Sequence, residues 1–107
     1  MRLNFKEQLS IKQTISQFDP NALVYLFGSR VDENKRGGDI DLLVFSKRLG
    51  FTEKRKIKIK LYELIGEQKI DLVIAQNTSS PFVQFVLEDA ILLWKQNNCY
   101  FYKLNWN

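Results

Sequence analysis

The sequence has 107 residues, 45% of them hydrophobic, and 16 Lys and Arg against 12 Asp and Glu. This length predicts one domain over 1–107, and the apolar content excludes a disordered chain. A single cysteine and no histidine exclude an internal disulfide and any histidine-based triad, and argue against a zinc site. Chemistry must then come from carboxylates, hydroxyls, amines or a metal. No apolar run approaches the roughly 18 residues of a membrane helix. The start, MRLNFKEQLS, lacks the apolar stretch of a signal peptide. No membrane association is expected, and a cytoplasmic location fits this composition best.

Residues 4–18 carry Phe5, Leu9, Ile11, Ile15 and Phe18 at approximately helical spacing, which predicts an amphipathic helix. Asp19-Pro20-Asn21 ends it. Ala22 to Phe27 is an apolar run short enough for a buried strand, and Gly28-Ser29 breaks it. Residues 32–38, with a double glycine, read as a loop. Ile40 to Phe45 is a second buried strand. Thr52 is the expected cap of a helix to about Ile65, with Ile57, Leu61, Leu64 and Ile65 inward, and Gly66 stops it. Ile70 to Ala75 is a third strand. Ser79 or Ser80 precedes a helix with Pro81 in its first turn and Phe82, Phe85, Val86 and Leu87 on its apolar side. Ile91 to Trp94 reads equally as an extension of that helix or as a short strand. The connection over 27–40 is too short for a full crossover helix. The expected fold is therefore α/β, a mixed twisted sheet of three to five strands with helices mainly on one face.

The chemistry concentrates around two strands. Side chains alternate along a strand, so Asp39 and Asp41 share a face, about 7 Å apart at Cα. Two carboxylates on one face repel each other, and a divalent cation is the simplest compensation. Mg²⁺ favours oxygen ligands and keeps room for waters and phosphates. Asp71 interrupts another apolar strand, where an unpaired carboxylate costs several kcal/mol, and so completes a candidate three-carboxylate set. A strand edge or a salt bridge would also explain it. Gly28-Ser29 adds a tight turn whose N–H groups and hydroxyl suit an anion. Arg30 follows as a possible phosphate contact or a surface ion pair.

The stretch LFGSRV followed by GGDIDLLV resembles the nucleotidyltransferase domain of the DNA polymerase beta superfamily. That pattern is Gly-Ser, a spacer of about ten residues, then Asp-x-Asp between apolar residues. The resemblance covers 22–75, with Ile70-Asp71-Leu72 matching the third acid. In size the chain resembles the minimal nucleotidyltransferases of bacteria and archaea, many encoded beside a helical HEPN-type protein. The resemblance implies a polymerase-beta-like fold and an MgATP substrate. It implies nucleotide contacts from Gly28, Ser29 and Arg30, and two Mg²⁺ ions held by Asp39, Asp41 and Asp71 as the catalytic acids. It also implies AMP transfer to a hydroxyl, a tyrosine in some pairs, of a HEPN-type RNase toxin whose antitoxin the chain would be. The family's second basic residue and second glycine are missing from Gly28-Ser29-Arg30-Val31-Asp32-Glu33, where Lys35 or Arg36 is the candidate substitute.

A different class of function is a non-catalytic antitoxin that neutralises by docking. Its candidate surface is the aromatic tail with Tyr100, Phe101, Tyr102 and Trp106. Direct nucleic-acid binding through Lys54, Arg55, Lys56, Lys58 and Lys60 is the weakest alternative, because no base-reading element accompanies the cluster.

Overall fold

The computed structural model describes residues 1–35, 38–66 and 68–95. Asn4 caps the first helix, α1 (Phe5–Phe18): its side chain accepts the Glu7 N–H at 2.7 Å while the Glu7 carboxylate accepts the Asn4 N–H at 2.9 Å. Strand β1 (Leu23–Phe27) runs into a 3₁₀ turn (Gly28–Val31), and β2 (Ile40–Phe45) follows. Helix α2 (Phe51–Ile65) carries the chain to β3 (Ile70–Ala75), α3 (Pro81–Leu87) and β4 (Ile91–Lys95). The sheet order is β3-β2-β1-β4. β1 is antiparallel to both β2 and β4, and β2 is parallel to β3. The parallel pair is the one joined by a long helix, as crossover geometry demands.

Alternation assigns the faces of the sheet. Val24, Leu26, Ile40, Leu42, Val44, Ile70 and Leu72 meet Ile11 and Ile15 of α1 and Ile57 and Leu61 of α2. On the opposite face Leu23, Leu43 and Phe45 meet Val83 and Val86 of α3. Two helices thus cover one face and a short one part of the other. Among the described residues no helix is long and apolar enough to cross a membrane.

Several expected inward residues turn out otherwise. Phe5 is 76% exposed and Leu9 40%, whereas Glu7, Ser10 and Thr14 are buried beside Ile11 and Ile15. The capping box fixes Glu7 inward, and this sets the buried face at 7, 10, 11, 14 and 15. The first residue before α2 is Gly50, not Thr52, because Glu53 reaches back to the Gly50 N–H at 2.7 Å. In α3 the buried residues are Val83 and Val86, while Phe82 and Phe85 face outward. The ambiguous segment near Ile91 is a strand because it completes the free edge of β1. Arg36 and the aromatic tail from Tyr100 to Trp106 lie outside the described residues.

Candidate active site

Parallel register places Asp41 of β2 directly beside Asp71 of β3. Both belong to the odd-numbered set that faces α3, and Asp39 precedes Asp41 by one strand repeat. One carboxylate oxygen from each of Asp39, Asp41 and Asp71 lies within 4.8 Å of the others. The structure thus brings together the three acids singled out in the sequence, as a set of hard oxygen ligands suited to Mg²⁺. Burial, then the hydrogen bond and charge of Asp71, then the charge of Asp39, push Asp41 up from 3.8 to about 6, against the opposing pull of Lys69. The Lys69 ammonium is 3.5 Å from Asp39 Oδ2. Lys69 stands just before β3 and is a neighbour of the acids that the sequence pattern did not single out.

Gly28 closes the site from β1. Its φ of +77° is in the left-handed region, and a Cβ there would collide with Asp41 Oδ2. Only glycine lets the turn lie directly over this carboxylate. Gly38, at φ +92°, stands against the Ser29 side chain, where a Cβ would overlap Oγ. The Ser29 side chain of the 3₁₀ turn thereby lies against the segment that leads through Asp39 into β2.

Arg30 points back into the fold around the turn. Its guanidinium donates to Gly38 O at 3.2 Å, Arg2 O at 2.7 Å and Gln68 Oε1 at 2.9 Å, and lies 3.7 Å from Glu7. With these partners it braces the turn. Arg2 works from the other direction, donating to Ser29 O and Asp32 O, each at 2.9 Å. Its nitrogen also donates to Arg30 O at 2.7 Å. Nothing near Arg2 in the sequence announces this role, because its partners are 27 and 30 residues away.

Beside the turn a cavity of about 620 Å³ opens, whose lining includes Gly28, Ser29, Asp32, Lys35, Phe27, Phe82, Phe85 and Asp89. A second hollow, of about 530 Å³, lies at the far end of β2 and β3 around Ser46, Lys47 and Gln76, away from the acids. Its buried Asp19 is engaged by the Ser46 hydroxyl at 2.5 Å.

The chain belongs to the polymerase beta nucleotidyltransferase family, which it matches over residues 9–98. No curated protein matches it. Among solved structures it is similar to a chain of a mutant MntA–HpeT toxin–antitoxin complex, with 25% identity and a TM-score of 0.69 over 89% of this chain and 75% of that one. A toxin–antitoxin complex with AMP-PNP shows 26% identity and a TM-score of 0.68, over 84% of this chain and 74% of that one. A complex of the tri-AMPylated Shewanella oneidensis HEPN toxin with an MNT antitoxin shows 25% identity and a TM-score of 0.65, over 84% and 71% respectively. The four-stranded mixed sheet is the nucleotidyltransferase fold of these relatives, and the chain is a nucleotidyltransferase domain similar to those of HEPN–MNT pairs.

Proposed function

We propose that this chain is a cytoplasmic, Mg²⁺-dependent adenylyltransferase that moves AMP from ATP to a hydroxyl, a tyrosine, of a HEPN-type toxin and so acts as its antitoxin. The observation that carries this reading is the convergence of Asp39, Asp41 and Asp71 under the Gly28–Ser29 turn. Further support comes from the AMPylated toxin in one similar complex and the AMP-PNP in another.

Asp39 and Asp41 would hold two Mg²⁺ ions, with Asp71 as the third ligand. When bound, the metal supplies charge stabilisation to the attacking and leaving oxygens. The Gly28 and Ser29 N–H groups and the Ser29 hydroxyl would grip the triphosphate, with Arg30 and Arg2 holding that turn in shape. The acceptor oxygen attacks the α-phosphorus in line. The new P–O bond replaces the α–β phosphoanhydride bond, and pyrophosphate leaves. Asp71 would also accept the hydroxyl proton.

The test is incubation of this chain with a HEPN-type protein, sought among the products of the adjacent genes, and MgATP, followed by mass spectrometry under denaturing conditions. Each transfer adds about 329 Da to the partner, a covalent change that survives denaturation. EDTA and the Asp39→Asn, Asp41→Asn double variant should both abolish it. An unchanged partner mass, with neutralisation that survives EDTA, would instead establish an antitoxin that acts by docking.

A further inference from the structure

α3 is short, and its two buried valines already fix it to the sheet. Val83 and Val86 pack against Leu23, Leu43 and Phe45. This leaves the aromatic rings of the same helix without a core role: Phe82 is 50% exposed and Phe85 71%. Large apolar rings held outward on an anchored helix call for a partner. Both rings line the 620 Å³ cavity, and Phe82 also meets Phe27 edge to face at a centroid distance of 6.4 Å.

The lining of the cavity is of two kinds: polar groups from the Gly28–Ser29 turn, Lys35, Asp32 and Asp89, and the rings of Phe27, Phe82 and Phe85. A nucleotide likewise has two kinds of surface, with anionic phosphates at one end and a flat π-system at the other. The volume lies within the roughly 300–1,000 Å³ of small-molecule sites. A lipid tail would not use Lys35 or the turn, and a free phosphate would not use the rings.

We infer that Phe82 and Phe85 form the platform on which the nucleobase of the bound nucleotide stacks, with the sugar bridging to the Gly28–Ser29 turn. The inference rests on the nucleotidyl-transfer reading above, because Gly28 and Ser29 are shared by the cavity and the proposed phosphate site. Stacking of this kind tolerates different bases, since each has a π-face. Selection for ATP over other triphosphates would then be weak at this platform.

The experiment compares Mg-ATP with Mg-tripolyphosphate, which has the phosphates and no base, by calorimetry on the full chain. The wild type should bind ATP at least about tenfold more tightly than tripolyphosphate, the order expected for stacking on an aromatic ring. Phe85→Ala should lose about tenfold in ATP affinity and keep its tripolyphosphate affinity. Phe85→Trp should retain ATP binding, and its added fluorescence should be quenched by ATP but not by tripolyphosphate. Equal wild-type affinities for the two ligands, or an unchanged ATP affinity in Phe85→Ala, would overturn the platform while leaving the phosphate and metal site intact. A parallel loss of both ligands in Phe85→Ala would also overturn it, as a structural effect. If Phe85→Ala weakens only association with a HEPN-type protein, the ring belongs to a protein interface and the inference falls. A wild type that binds neither ligand removes the nucleotidyl-transfer reading itself, and this inference with it.

Discussion

Asp41 has a glycine turn over it, Asp71 beside it and Asp39 one strand repeat away. Its carboxyl is held at about 6, against 3.8 when unperturbed. The folded, metal-free chain therefore binds this proton more tightly than the unfolded chain does. By linkage, stability should fall as pH rises from about 4 to about 6 and level off above that, as far as Asp41 is concerned. Urea unfolding in EDTA across this range measures the slope, and Asp41→Asn should remove its contribution. A slope of the opposite sign would mean that Asp41 is ion-paired and not crowded by like charge. Where these acids hold Mg²⁺ as proposed, protons compete for the same oxygens, so metal affinity should rise over the same interval.

At the scale of elements, the strands were the most legible part of the sequence. Period-two alternation alone puts Asp39 and Asp41 on one face, and the parallel register of β2 and β3 brings Asp71 alongside. The helices were less legible. α3 has only 7 residues and is nearly all apolar, so no periodic contrast separates Val83 from Phe82 and Phe85. α1 carried an approximately helical pattern, but a buried carboxylate shifted its face, and hydrophobicity alone does not reveal that. This gives a direct test. Ile11→Ala should cost about 2–5 kcal/mol, as for a fully buried aliphatic residue. Leu9→Ala, one turn edge away and 40% exposed, should cost less than about 1 kcal/mol. Chemical denaturation of the two variants settles it, and equal losses would contradict the assigned face. The bracing of the turn by Arg2, Arg30 and Gln68 was invisible for another reason. Its contacts join residues 28 and 38 positions apart, and such pairs leave no local signature.

For the molecule as a whole, the acid cluster concentrates like charge that the proposed metal would offset. Removing two of three neighbouring like charges relieves repulsion. Asp39→Asn with Asp41→Asn should therefore melt at the same temperature as the wild type or higher when metal is absent. With Mg²⁺ at a hundredfold excess over its Kd, the wild type should gain roughly 2.7 kcal/mol and the double variant nothing. Thermal melts with and without Mg²⁺ read both effects. A double variant that unfolds without metal would show that the acids are structural. An Mg²⁺-dependent gain that survives in the variant would place the ion elsewhere.

The reach of Arg30 has a consequence for how the chain matures at the ribosome. Its guanidinium ties the turn to Arg2, to Gly38 and to Gln68, and Asp71 follows three positions later. Synthesis runs from the N-terminus. The Gly28–Ser29 turn is thus made early but acquires its last brace only with Gln68, almost together with its third acid. A nascent chain that stops short of β3 has the nucleotide signature in its sequence and lacks the framework that holds it in shape. Truncated products should therefore not sequester nucleotide, and binding competence should arrive in one late step.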